Sequence, residues 1–546
     1  MPTITFSFKD FQQLLGKKMP IQQFEDNLVL YAKAEVEKYD KASDEVTLKL
    51  DDTNLPYIWC PEGLARFFRG ILGISNGVQK LKVKSGAYKI VVDDSVKPIR
   101  PYIVAFVAKG KKIDDYILKQ LIQMQKKFCE GYGRRRQKVS IGLYAYKKIA
   151  FPVHYKAVEP SSAKFIPLEF NKALNLKQIL ELHPKGQQYS WILKDASKYP
   201  LLQDDKGEIL SFPPIINSNS TGRLEASDTE MLFEATGTDE ESVNLAASIF
   251  AHNLSERGFE ILSVTISYKG RTAIIPSGKT EKIGITPEFI EKVTGLKLSA
   301  AETRQLLAKA GYEYSGNAAT IPNYRADIMH PVDVAEDVAI AFGYDKIKDE
   351  PLKSYTLGMP DKSVQKINRL RKAVAAMSFQ EIFSHILTDK NSLITGAGAV
   401  ELENFMSETY SAVRNSVLPQ LLDVLARNKH VDYPQKIFEE GIVAAREGSR
   451  ISEWRSLALI AAHSKADFTE MKQYMTALLT ATAAKFEIKP AEHPLFMKGR
   501  AGSIVVNKTQ IVGIIGEISP SVLSKLGIET PAAAIEINLN LLLGFS

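Results

Sequence analysis

Cysteine is nearly absent: Cys60 and Cys129 are the only two in 546 residues, and they stand far apart. That excludes a disulfide framework and the paired spacing of a zinc site, and it suits a reducing cytosol. Long apolar runs are lacking as well. The stretch Ile504–Ile515 is broken by Asn507, Lys508 and Gln510, and nothing reaches the roughly 18–20 residues of a membrane span. The N-terminus, MPTITFSFKDFQQLLGKK, puts Lys9 and Asp10 where a secretory signal needs an apolar core. A cytoplasmic protein with no membrane partner is expected. There is no strong excess of one charge either. The net +7 permits contact with nucleic acid without demanding it. No internal repeat and no low-complexity tract occurs.

What is present is length and alternation. A chain of 546 residues exceeds one hydrophobic core, since domains run about 100–200 residues. Four segments are expected. Residues 1–85 form an N-terminal α/β domain, in which Leu64, Phe67, Phe68, Ile71 and Leu72 recur at helical spacing. Residues 86–272 form a mixed α/β module with β-branched strands at 90–92 and 103–107, a helix ending near Gly131, and the strand IGLYAY. Residues 273–350 form a small domain in which Thr286-Pro287-Glu288 opens one helix and the capping box Ser299–Glu302 opens a second. Two short helices so joined have the outline of a helix-turn-helix, which serves a packing module as readily as a nucleic-acid reader. Residues 351–546 alternate helices (367–380, 416–428, 468–485) with strand-like runs, the pattern of a sheet flanked by helices. The fold class is α/β and α+β, multidomain.

The sharpest local pattern is NYRADIMHPVDVAEDVAIAFGYDKI (323–347). Asp333, Glu336 and Asp337 share one helix face, and Asp327 arrives from the segment before it. Four converging carboxylates would repel one another unless a hard dication lay among them, and oxygen-only ligands favour Mg²⁺ or Ca²⁺. Asp333 with Glu336 also reads as a D-x-x-E capping box, in which acids stabilise a helix start by about 0.3–1 kcal/mol each. Both readings stay open on spacing alone.

This stretch resembles the signature of phenylalanine–tRNA ligase beta subunits of the archaeal and eukaryotic-cytosolic type. WCPEGLARFFRG (59–70) resembles the family's N-terminal helix. HPKG (183–186) with ILSFPPIIN (209–217) resembles its editing module. VRNSVLPQLLDVLARN (413–428), PQKIFEEG (434–441) and VGIIGEISPSVL (512–523) resemble its large C-terminal domain. The resemblance implies a partner subunit, alpha, in a two-plus-two tetramer that joins phenylalanine to tRNA(Phe) with ATP. It implies a magnesium ion shared with alpha at Asp327, Asp333, Glu336 and Asp337. It also implies an editing pocket at Leu202, Ser211, Glu234 and Thr236, with Glu234 sensing the tyrosine hydroxyl.

An apolar pocket rejects an added hydroxyl only about a hundredfold, so a second site that accepts the hydroxyl and hydrolyses the mischarged ester is physically reasonable. Such a site needs an acceptor at the end of an apolar slot. Without the resemblance, Glu234 and Thr236 would read as an edge-strand pair facing solvent. No nucleophile–base–acid triad is readable; His154 and His183 are candidates to assist, and His183 before Pro184 also reads as a turn residue. The chain departs from the family at Ala145, where relatives often carry an acid. Motifs for amino acid activation are missing: FEEG (438–441) and GEIS (516–519) have no arginine placed for phosphate. The C-terminal segment therefore resembles a class II ligase sheet, antiparallel with flanking helices and without catalytic motifs, so no activating residue is assigned. The basic group Arg134–Arg136 with Lys138 serves either as a solvated face or as a tRNA backbone contact. Two rivals remain at this stage: a nucleic-acid-binding regulator built on residues 273–350, and a stand-alone metal hydrolase using the four acids.

Overall fold

A computed structural model describes residues 2–352, 354–393, 398–480, 482 and 484–544. The chain divides into two units, Met1–Pro351 and Leu352–Ser546.

In the first unit a three-stranded antiparallel sheet is built from Thr3–Ser7, Ala34–Asp40 and Glu45–Leu50. Ser7 accepts from the Asp10 amide and so starts the helix Phe8–Leu15. Pro61 at the first turn starts Pro61–Ile71. That helix joins the module to the next sheet through buried ion pairs. Arg66 bonds Glu256 at 2.7 Å, and Arg257 bonds Asp10 at 2.7 Å and Glu62 at 2.5 Å. One apolar core takes in residues of both sheets, from Ile4 to Ile275, while Phe165, Leu176, Tyr189 and Phe212 belong to a separate cluster. A boundary at 85/86 would fall inside the strand Val83–Val92, because this strand is part of the larger sheet.

The larger sheet has ten strands. Toward one edge, Tyr102–Lys109 pairs antiparallel with Glu230–Gly237, which pairs in turn with the edge strand Val139–Ala145. Two parallel pairings, both through Val83–Val92, link this half to Val153–Val158 and to the hairpin Tyr199–Gln203/Ile209–Phe212. Glu240–Glu256, capped by Asp239, lies on the centre of the sheet and is buried along most of its length. Residues Pro287–Thr294, Ala300–Lys309 and Pro331–Phe342 pack around a separate small core. Both expected caps are present: Thr286 accepts from Phe289, and Ser299 and Glu302 bond each other's amides.

In the second unit seven strands form one sheet, antiparallel except for the edge pair Gln380–Glu381 with Gln435–Glu447. Alternation along its strands sorts the side chains onto two faces. Leu457, Leu459 and Ala461 pack under the helices Lys362–Ala376 and Phe468–Thr480. Ala458, Ile460 and Ala462 pack under Leu418–Arg427 and Pro520–Leu526. Two arginines lie beside FEEG, both engaged by its glutamates. Arg414 bonds Glu439 at 2.7 Å with both side chains buried, and Arg455 bonds Glu440 at 2.6 Å. They come from distant positions in the chain, which local spacing could not reveal, and carboxylates already neutralise them.

Candidate editing site

Glu234 stands on the inner strand Glu230–Gly237, not on an edge, and is 2% exposed. In register it faces Ala105 on one side and Gly142 on the other. Beside it is a cavity of about 310 Å³, lined by Leu118, Ile122, Tyr144, Ser211, Asn217 and Arg223 among others, with Glu234 in its wall. That volume falls at the lower end of small-molecule sites.

Tyr144 donates its hydroxyl to Glu234 Oε2 at 2.8 Å and lies 2.9 Å from Ser211 Oγ. The other carboxyl oxygen, Oε1, is buried and has no hydrogen-bond partner. Burial pushes the Glu234 carboxyl up to about 7, while the Tyr144 hydrogen bond, the Arg100 charge and the Thr236 hydroxyl act in the opposite direction. Arg100 is itself buried. It bonds Thr236 Oγ1 and Ser140 Oγ at 3.0 Å each and the Gln137 carbonyl at 3.0 Å. No carboxylate pairs with it among the described residues, and burial lowers its pKa.

The four residues assigned by resemblance therefore divide. Ser211 and Glu234 line the cavity. Leu202 pairs with Ser211 across the hairpin, but its side chain belongs to the core and not to the cavity wall. Thr236, two residues from Glu234, is not among the lining residues; it is bonded by Arg100 and Ser140 and acts on the Glu234 carboxyl. Neither histidine takes part. His183 is buried as a helix cap, accepting from Lys185 and lying 3.0 Å from the Leu168 carbonyl, and His154 lies 3.5 Å from Asp205. Tyr144, Gly142, Arg100 and Arg223 were not singled out by the sequence. Tyr144 was visible only as one residue of a strand, because its partners come from elsewhere in the chain.

The acidic stretch is arranged differently. Asp327, Asp333, Glu336 and Asp337 all border one depression of about 130 Å³. Arg325 sits between two of them, with Nε 2.8 Å from Asp327 and Nη2 2.9 Å from Asp337. Tyr312 also donates to Asp337. Asp333 accepts from the amides of Met329 and His330 at 2.8 and 2.7 Å. Glu336 meets Lys33 at 3.0 Å. Among the described residues no three acidic, thiol or imidazole side chains are grouped to hold a metal ion. In this arrangement Arg325 neutralises Asp327 and Asp337, Lys33 meets Glu336, and Asp333 is engaged by backbone amides. The capping box is present with its register corrected. The cap is His330 with Asp333 at the third position, since Pro331 fixes the first turn three residues earlier than a cap at Asp333 would allow.

Of the basic group, Arg136 packs inward, bonding the Ile215 carbonyl at 2.8 Å, while Lys138 lies 3.6 Å from Asp239.

Comparison with known proteins decides the family. Residues 348–539 match the model described as phenylalanyl tRNA synthetase beta chain CLM domain, and residues 283–344 match the tRNA synthetase B5 domain. The phenylalanine–tRNA ligase beta subunit of Thermococcus kodakarensis is 37% identical, over 99% of this chain and 98% of its own. That of Pyrococcus horikoshii is 38% identical over 99% of both. The chain belongs to the phenylalanine–tRNA ligase beta-subunit family. The crystal structure of an N-terminal fragment of the Pyrococcus horikoshii beta subunit superposes with a TM-score of 0.60 at 38% identity, covering 62% of this chain and 99% of the fragment. As a beta-subunit-family member the chain is part of an aminoacyl-tRNA synthetase and serves protein biosynthesis.

Proposed function

We propose that this beta-family chain hydrolyses tyrosine wrongly attached to tRNA(Phe), and that the cavity at Glu234 is where it does so. It works in the cytoplasm with an alpha subunit, as a two-plus-two assembly that uses ATP and Mg²⁺ to attach phenylalanine. The observation that carries the editing reading is the Glu234 carboxyl: buried, with one oxygen lacking a partner, in the wall of a largely apolar cavity. A buried acceptor left unsatisfied costs about 1–3 kcal/mol. A tyrosyl ring entering the cavity brings the missing donor, and a phenylalanyl ring does not. Ser211 and Asn217 are at hand to hold the ester and a water.

The second unit is assigned to alpha-subunit association. Its sheet resembles that of a class II ligase, and the arginines beside its central strands are closed by Glu439 and Glu440. No activation step is assigned to it, and none is routed through a magnesium ion held by the four acids.

The test uses the assembled alpha–beta enzyme with tyrosyl-tRNA(Phe) and phenylalanyl-tRNA(Phe). Glu234→Ala is expected to slow tyrosyl-tRNA hydrolysis by about a hundredfold or more and to leave phenylalanine charging intact. Hydrolysis by that variant at the parental rate would place editing elsewhere.

A further inference from the structure

We infer that Tyr144 is the residue that sets tyrosine specificity at this cavity, by holding the Glu234 carboxyl so that its remaining acceptor sites are left for the substrate's phenol. The inference rests on the editing reading above.

The geometry begins with a glycine. Gly142 lies directly opposite Glu234 in the sheet. A Cβ there would stand 2.3 Å from the Tyr144 hydroxyl and 2.6 Å from Glu234 Oε2. The missing side chain is what lets the Tyr144 ring fold back along its own strand and reach the carboxylate. Tyr144 has one proton to give. It goes to Glu234 Oε2, and Ser211 Oγ, at 2.9 Å, donates to the phenol in turn. A fixed chain results, Ser211 to Tyr144 to Glu234, drawn from three strands.

A carboxylate has about four acceptor sites, and Tyr144 fills one. With that bond in place the carboxyl cannot turn freely, and the unfilled capacity keeps a constant direction. Without it, a buried carboxyl with no strong partner would take up the proton and lose its preference for a donor. Tyr144 is thus a positioning residue: it acts through Glu234, and the substrate hydroxyl is recognised by Glu234.

The ionisable groups that act on Glu234 are Tyr144 from the adjacent strand and Arg100 from the far side; Arg136 and Arg223 border the same cavity. Arg100 is tied to Thr236, Ser140 and the Gln137 carbonyl, so it stays in place when Tyr144 changes.

The experiment measures hydrolysis of tyrosyl-tRNA(Phe) and of phenylalanyl-tRNA(Phe) by the assembled alpha–beta enzyme between pH 5.5 and 9, with parent, Tyr144→Phe, Gly142→Ala and Glu234→Ala. Taking the ratio of the two rates removes the intrinsic pH dependence of ester hydrolysis. For Tyr144→Phe the tyrosine preference at pH 7 is expected to fall by about ten- to a hundredfold, the range for a hydrogen bond to a charged group. The loss should be partly recovered toward pH 9, since losing the Tyr144 donor raises the pH at which Glu234 ionises. Gly142→Ala, whose added methyl meets the Tyr144 hydroxyl and ring edge and Glu234 Oε2, should reproduce the fall with Tyr144 still present. A Tyr144→Phe enzyme with the parental preference across the whole pH range, alongside a defective Glu234→Ala, overturns the role of Tyr144 alone. A uniform loss of both activities with no change in the pH profile makes Tyr144 a packing residue and overturns it too. A parent enzyme that does not hydrolyse tyrosyl-tRNA at all overturns the editing reading itself.

Discussion

The first unit carries two places where carboxylates are largely enclosed, and they are balanced in opposite ways. Around Asp327 and Asp337 every demand is met from within the chain: Arg325 lies between the two carboxylates, and Tyr312 donates to one of them. Around Glu234 the demand is only half met: the Tyr144 phenol bonds one carboxyl oxygen and the other has no hydrogen-bond partner. The sequence draws the eye to the first, because four acids stand within eleven residues. The unsatisfied group is the second, a lone glutamate in an apolar strand. An acidic cluster marks structure when its charge is answered locally. A solitary buried carboxyl beside a cavity marks a place kept for something else.

The largest effect should come from breaking the balanced side. Arg325→Met keeps most of the volume and removes the charge, leaving Asp327 and Asp337 buried without a cation. Removing one partner of a buried pair costs about 3–5 kcal/mol, to be read from chemical denaturation of the full chain followed by tryptophan fluorescence. A cost under about 1 kcal/mol would mean that the two aspartates are less enclosed than their neighbours suggest. Millimolar MgCl₂ should leave the melting temperature of the parent chain unchanged, because Arg325 and Lys33 already occupy the acids. A clear rise would show that the acids hold a dication despite them.

The opposite sign is expected on the other side. Glu234 is pushed up to about 7 by burial, against an ordinary carboxyl value near 4.3. The folded state therefore holds this proton more tightly than the unfolded state, and the cost of folding with the group ionised grows as pH rises from about 4.3 through 7. Glu234→Gln removes that cost and keeps an acceptor for Tyr144. It should stabilise the chain by up to about 3 kcal/mol at pH 8 and by nearly nothing at pH 4, while weakening tyrosine discrimination. Denaturation midpoints at the two pH values decide it. A gain of equal size at both would trace to packing and not to charge.

These contrasts also show what the sequence could and could not disclose. Local rules served where the information is local. The caps at Thr286 and Ser299, the helix after Pro61 and the alternation of Leu457–Ala462 all follow from residues a few positions apart. The capping box at Asp333 was seen in type but displaced in register, because Pro331 sets the start of the helix. The site was less legible. Glu234 and Ser211 came from resemblance, and nothing local pointed to Tyr144, Gly142 or Arg100. Their meaning lies in the pairing of strands about ninety residues apart, and pairing is a property of the fold. The ion pairs Arg66–Glu256 and Arg257–Asp10 were hidden for the same reason.

A smaller effect separates the two roles open to Asp333. Its carboxylate accepts the amides of Met329 and His330, so Asp333→Ala should cost about 1 kcal/mol, as for other helix caps. Thermal denaturation of the full chain with and without millimolar Mg²⁺ reads both the cost and its origin. A capping role gives the same loss in both buffers, whereas a metal role gives a loss only when the ion is present.

The smallest effect is expected at Lys33, and it is the most searching test of the balance. Lys33 joins Glu336 at 3.0 Å and Asp52 at 3.4 Å, with all three side chains substantially exposed. Pairs of this kind contribute about 0.2–1 kcal/mol and fade with salt. If Arg325 already answers the buried acids, Lys33→Ala should cost no more than about 0.5 kcal/mol in 0.1 M salt, and almost nothing in 1 M. Asp52, Asp333 and Glu336 border the same depression as the Asp327–Asp337 pair, so any uncompensated field there would be felt strongly by Lys33, which also lines it. A loss well above that size, relieved by millimolar Mg²⁺ but not by an equal ionic strength of NaCl, would mean that the outer acids form a dication site of their own. The buried pair would then be its foundation, and the two regions would differ in what they hold and not in whether they hold anything.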